Sequence, residues 1–111
     1  MRAVVQRCLK ASVAVEGKEI SSIGAGMAVL LGVEKDDSEE DVRYIVEKLA
    51  TLRIFQDENG KMNLDLSQVQ GQLLLVSQFT LCGDVRKGRR PDYMQAASSV
   101  QARQFYETAV Q

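Results

Sequence analysis

Histidine and tryptophan are absent from this 111-residue chain, and proline occurs once, at Pro91. Without an imidazole there is no Ser-His-Asp or Cys-His catalysis, and most catalytic zinc sites are excluded too. Cysteine is nearly as scarce. Cys8 and Cys82, the only two, lack Cys-x-x-Cys spacing and are too few for a disulfide framework, so they are expected to be reduced thiols. No apolar stretch approaches the ~18 residues that span a bilayer. Met1 to Arg7 also lacks the apolar core of a signal peptide. A cytoplasmic protein without membrane association is therefore expected. An excess of one charge is missing as well: 14 Lys+Arg against 15 Asp+Glu leave a net charge of −1. Nucleic-acid binding by overall charge is excluded, and any such binding needs a local patch.

What remains is an ordinary globular composition, 45% hydrophobic and 26% charged. The length fits one domain over residues 1–111, enough to bury roughly two thirds of the surface exposed by the unfolded chain. Val4 to Leu9 is β-prone. Val13 and Val15 alternate with Ala14 and Glu16, and Gly17-Lys18 turns before Ile20, predicting two short strands in a hairpin. Gly24-Ala25-Gly26 lacks the third glycine and opening helix of a dinucleotide fingerprint. It reads as a turn before Met27 to Val33, a continuous apolar run suited to a central strand.

Ser38 and Asp41 have capping-box spacing, and Asp36, Asp37, Glu39 and Glu40 complement the positive end of a helix. Val42, Ile45, Val46, Leu49 and Leu52 then supply its apolar stripe. Ile54-Phe55 predicts a short strand and Asn59-Gly60 a tight turn. Ser98 and Gln101 mark a last helix with Ala102, Phe105, Tyr106 and Ala109 on its apolar face. The predicted class is one strand-rich α/β domain.

Chemistry concentrates where the run Leu73-Leu74-Leu75-Val76 gives way to Ser77-Gln78-Phe79-Thr80. These residues are simply polar groups ending a strand, or they form a site. Thr80 as a nucleophile would need a base, because its hydroxyl is weak at its own pKa. Asp84 is the nearest acid in sequence, but that spacing establishes no contact. Donating hydrogen bonds to a developing oxyanion, from backbone N–H groups and the Gln78 amide, requires no proton transfer. Cys82 is expected to behave as a small buried hydrophobe. Arg86, Lys87, Arg89 and Arg90 follow around Gly88. They form either a solvated loop or a phosphate-binding patch, for which arginine offers a bidentate grip.

Several segments, collinear along essentially the whole chain, together resemble the D-aminoacyl-tRNA deacylase family. They are Met1 to Arg7, Ala11-Ser12-Val13, Leu30-Leu31-Gly32-Val33, Arg53-Ile54-Phe55, Gly60-Lys61-Met62-Asn63-Leu64, Val76-Ser77-Gln78-Phe79-Thr80-Leu81 and Lys87-Gly88-Arg89-Arg90-Pro91. The resemblance implies a strand-rich barrel or sheet packed with two helices, and a homodimer with active sites at the subunit interface. It implies hydrolysis of the ester joining a D-amino acid, or glycine mischarged on tRNA(Ala), to the terminal ribose of tRNA. That is a proofreading step in translation quality control. No metal or organic cofactor is implied, since the ribose 2′-hydroxyl assists the chemistry. Ser77, Gln78, Phe79 and Thr80 would line the aminoacyl site, and Arg7, Met27, Arg86, Lys87, Arg89 and Arg90 would contact substrate.

The family pattern also has a Gly-Pro pair near its carboxyl terminus that enters the partner's pocket and rejects L-amino acids, with Arg7 bracing it. Pro91 here follows Arg90, so no such pair is present. About a quarter of a family-length chain, including strands that complete the sheet, is expected to be missing. Three functions remain open at this point: a deacylase, an inactive shortened relative that binds tRNA or dimerises, and a plain structural subunit with no RNA role, which leaves the motif set unexplained.

Overall fold

A computed structural model of the protein describes residues 1–84, 86 and 88–110, with the side chains of residues 99 and 107–110 outside the description. Among the described residues, seven strands, two α-helices and one 3-10 turn follow in order. They are β1 (Arg2–Cys8), β2 (Ala11–Val15), β3 (Lys18–Ile23), β4 (Gly26–Gly32), α1 (Glu39–Thr51), β5 (Phe55–Gln56), β6 (Met62–Leu64), β7 (Gln72–Ser77), the 3-10 turn Phe79–Cys82 and α2 (Ser99–Val110). The strands form a three-stranded sheet in the order β1-β4-β7 and two hairpin ribbons, β2-β3 and β5-β6. Of the barrel or sheet that the resemblance implies, the described residues form open sheets.

The predicted hairpin is β2-β3, antiparallel from Ala11↔Ile23 to Val15↔Lys18, with a bulge between Val13 and Ala14. Its turn uses Glu16 and Gly17 at φ 52° and 78°, the left-handed pair that matches strand twist. In the β5-β6 ribbon, Gly60 at φ 75° closes the turn, and Asp57 accepts N–H bonds from Asn59 and Lys61.

Both caps expected from sequence form. The Ser38 N–H donates to Asp41 Oδ2 at 2.9 Å at the start of α1, and the Gln101 N–H donates to Ser98 Oγ at 3.2 Å at the start of α2. Such a cap contributes ~1 kcal/mol. On α1, Val42 and Leu49 are buried while Val46 is exposed at the margin of the stripe. On α2, Ala102, Phe105 and Tyr106 are half-buried, and the side chain of Ala109 lies outside the description.

The chain divides into two compact units. The first comprises Met1–Val4, Leu30–Val46 and Val76–Gln111, and its core is Leu31, Val33, Val42 and Cys82. The second comprises Val5–Val29 and Glu47–Leu75, with Met27, Val29, Leu49 and Leu74 at its centre. Each such aliphatic side chain contributes roughly 1.5–3 kcal/mol by leaving water. In the second unit Gly26 is required by close approach: a Cβ there would stand 1.8 Å from the Gln72 carbonyl oxygen.

The first unit has a charged knot at its amino end. The Met1 ammonium is 2.7 Å from Asp37 Oδ1 and 3.4 Å from Glu34 Oε1. Arg2 Nε donates to the same Glu34 oxygen at 3.2 Å, and Arg2 Nη1 donates to the Leu81 carbonyl at 3.3 Å. Burial alone would lower the ammonium pKa, but the hydrogen bond and charge of Asp37, then those of Glu34, hold it above 8.0. For Glu34, burial acts to raise the carboxyl pKa; the Arg2 bond and the Met1 ammonium bring it below 4.5.

Candidate active site

The motif residues sit where β7 stops. Ser77 is the last residue of the strand and is exposed. Gln78 remains extended, at φ −144° and ψ 94°, and its N–H donates to the Leu31 carbonyl at 2.7 Å. The chain then tightens into the 3-10 turn Phe79–Cys82, where Leu81 N–H bonds back to the Gln78 carbonyl and Gly83 N–H to that of Thr80. Gly32 permits this packing: a Cβ there would lie 3.0 Å from Leu81 Cβ and 3.2 Å from both Cys82 Sγ and the Gln78 carbonyl oxygen.

The turn decides which side chains are available. Cys82 is 1% exposed with its thiol 3.6 Å from the Val33 carbonyl, and burial, then the Glu34 charge, pushes its pKa up. It packs as the small hydrophobe the sequence implied, and the thiolate is disfavoured. Thr80 and Phe79 face solvent, and the Gln78 amide Nε2 donates to Thr80 Oγ1. Opening turns leave their first N–H groups without intrahelical partners, and among the described residues no acceptor meets the Phe79 or Thr80 N–H. Phe79 stacks edge-on against Tyr93, with centroids 5.3 Å apart at 68°.

Beside this turn lies a cavity of about 450 Å³, lined by Ser77, Phe79, Ala97, Ala102, Arg103 and Tyr106. The α2 residues Ala102 and Tyr106 were legible only as an apolar helix face, and Ala97 and Arg103 carried no sequence signal. The link is made by backbone bonds from Ala97 N–H to Val33 and from Lys35 N–H to Gln95, which bring the segment before α2 to the end of β4.

The acid nearest to the motif in sequence serves the basic loop instead. Asp84 and Asp92 exchange backbone bonds of 2.7 and 2.8 Å, closing the loop between them. Asp84 then receives Arg86 in a two-point grip, Nε to Oδ1 at 3.0 Å and Nη2 to Oδ2 at 2.7 Å. The Arg86 side chain and backbone N–H hold the Asp84 carboxyl down at about 2. Arg89 and Arg90 are exposed, with no ion pair among the described residues, and Lys87 lies outside the described residues.

Arg7 and Met27 belong to the second unit. Arg7 Nη1 donates to the Ile54 carbonyl at 3.0 Å, and its side chain lines a different cavity, of about 480 Å³, with Cys8, Phe55 and Gln56. Met27 is fully buried in β4.

A family model described as D-Tyr-tRNA(Tyr) deacylase matches residues 4–111. The chain belongs to the D-Tyr-tRNA(Tyr) deacylase family. Its relatives include a D-aminoacyl-tRNA deacylase of Myxococcus xanthus, 62% identical over 107 residues, covering 96% of this chain and 70% of that one. A D-aminoacyl-tRNA deacylase of Thermosipho africanus is 57% identical over 110 residues, covering 99% and 74%. Among solved structures, one titled c-Myc DNA Unwinding Element Binding Protein superposes with TM-score 0.93 at 43% identity, over 99% of this chain and 74% of that one. A probable eukaryotic D-amino acid tRNA deacylase, at TM-score 0.76 and 21% identity over 97% and 65%, shares the fold. Deacylases of this family are hydrolases, which makes this chain an enzyme by membership. The strand-rich α/β architecture with two helices is the family's.

Proposed function

We propose that this chain hydrolyses the ester bond of D-aminoacyl-tRNA, glycyl-tRNA(Ala) included, releasing the amino acid and free tRNA. The observation that carries the reading is the cavity of about 450 Å³ opening beside Ser77 and Phe79, next to a turn that presents Thr80 and its N–H groups. No histidine exists to activate a protein nucleophile, so the polypeptide contributes position and polarity. The Phe79 and Thr80 N–H groups and the Gln78 amide are the donors available to the ester oxygen as charge develops there. Gln78 fixes the Thr80 hydroxyl, and the substrate's own 2′-hydroxyl assists the attack by water.

In this reading Arg89 and Arg90 reach the phosphates of the tRNA 3′ end and Arg7 is a further substrate contact, while Met27, fully buried, serves the core and meets no substrate. The residues act as one domain. Phe79, 55% exposed, is a ring for the substrate or a second subunit to cover, which supports a homodimer with the site at its interface. The reading also makes the protein a cytoplasmic proofreading enzyme of translation; no helix among the described residues is long and apolar enough to cross a membrane. Substrates carrying a terminal 2′-deoxyribose test it. Turnover of the ribose form with loss of at least about a hundredfold in the deoxy form is expected, since intramolecular assistance is worth several kcal/mol. Equal rates on both would refute assistance by the RNA, and no hydrolysis of either would leave only a binding module.

A further inference from the structure

We infer that Asp84 withholds Arg86 from the RNA, so that the basic loop meets phosphate through Arg89 and Arg90 and Asp84 sets the loop's affinity. The inference rests on the tRNA-binding reading above and adds a division of labour that the run of cations does not reveal. Three features carry it. The Arg86 guanidinium gives one edge, its Nε–H and an Nη2–H, to the Asp84 carboxylate at 3.0 and 2.7 Å, and the Arg86 backbone N–H donates to the same carboxylate at 2.9 Å. Asp84 is itself pinned by its reciprocal backbone bonds with Asp92. The pair is also local, two positions apart, so closing it orders little chain. An arriving phosphate must displace a bidentate partner held at high effective concentration. At Arg89 and Arg90 it meets exposed guanidinium groups with no ion pair among the described residues.

The salt dependence of tRNA binding reads this directly, because each cation–phosphate contact adds about 0.7–0.9 to the slope of log affinity against log salt. Deacylated tRNA is the probe, with the whole chain and its variants titrated from 50 to 200 mM salt. Arg89→Ala and Arg90→Ala should each flatten the slope by about that amount, and Arg86→Ala should not. Asp84→Asn, which keeps the backbone bonds to Asp92, should steepen it, widening the affinity ratio across that range by about threefold. The gain should vanish in Asp84→Asn/Arg86→Ala, which separates a released Arg86 from a mere loss of negative charge. Arg86→Gln probes the pair without touching Asp84 and should match Arg86→Ala.

A gain that survives in the double variant, or an Arg86→Ala slope as flat as that of Arg89→Ala, would overturn the inference while leaving tRNA binding by the loop intact. Slopes unchanged in Arg89→Ala and Arg90→Ala would instead remove the phosphate-binding reading, and the inference with it.

Discussion

Thr80 shows how little proton chemistry a single residue needs to be useful. Its hydroxyl accepts from the Gln78 amide and the residue is exposed, next in sequence to Phe79 of the cavity lining, and among the described residues no base is bonded to it. Thr80→Ala should therefore slow turnover by about five- to tenfold, the worth of one ordinary hydrogen bond, measured as release of amino acid from D-tyrosyl-tRNA. At Cys82 burial dominates. A thiol-specific reagent should label the half-buried Cys8 first and reach Cys82 only as the protein unfolds. Labelling of both at equal rates in native protein would contradict that placement. What was legible at this scale was composition. That Cys82 is an inert hydrophobe followed from how free cysteines usually pack. The engagement of Asp84 by Arg86 did not, because no regular period puts residues two apart on one face outside a strand.

Elements with local signals were readable and elements made by distant chain were not. Ser38 with Asp41 and Ser98 with Gln101 announce their helices because a cap is satisfied within one turn. Asp41→Ala should cost about 1 kcal/mol in a urea melt. The end of β7 at Ser77 was legible in the change from apolar to polar residues, but the 3-10 turn was hidden, since nothing in Phe79-Thr80-Leu81-Cys82 says that the chain coils there. Gly32 shows its cause: the turn packs where a side chain on β4 would collide, so Gly32→Ala should destabilise by about 1–3 kcal/mol through overpacking. The cavity was equally hidden, because α2 reaches it through backbone bonds made far along the chain.

The amino-terminal knot gives its own pH signature. The Met1 ammonium has its pKa raised above 8.0 in the fold, so its contribution is complete below that value and is lost as pH rises through the folded pKa. The Glu34 carboxyl, lowered below 4.5, contributes above that value and loses its contribution as pH falls through the folded pKa. The urea midpoint should therefore drop as pH climbs above 8 and drop again in acid below 4.5. Asp37→Asn should flatten the alkaline limb; an alkaline limb unchanged by that variant would remove Asp37 from the account.

Across the whole molecule, the motif set and the collinear resemblance carried more than periodicity did, and the family match over residues 4–111 agrees with it. The division into two units was not legible, because its boundary falls inside β1, β4, α1 and β7. The central claim is catalysis at Ser77–Thr80 by positioning, without a protein nucleophile. Acid-quenched time courses of D-tyrosyl-tRNA hydrolysis, wild type beside Thr80→Ala, test it most directly. The account predicts release of D-tyrosine by both, slower by about five- to tenfold in the variant, with no aminoacyl group trapped on either protein. Complete loss in Thr80→Ala, together with a tyrosyl adduct trapped on the wild-type chain, would contradict it.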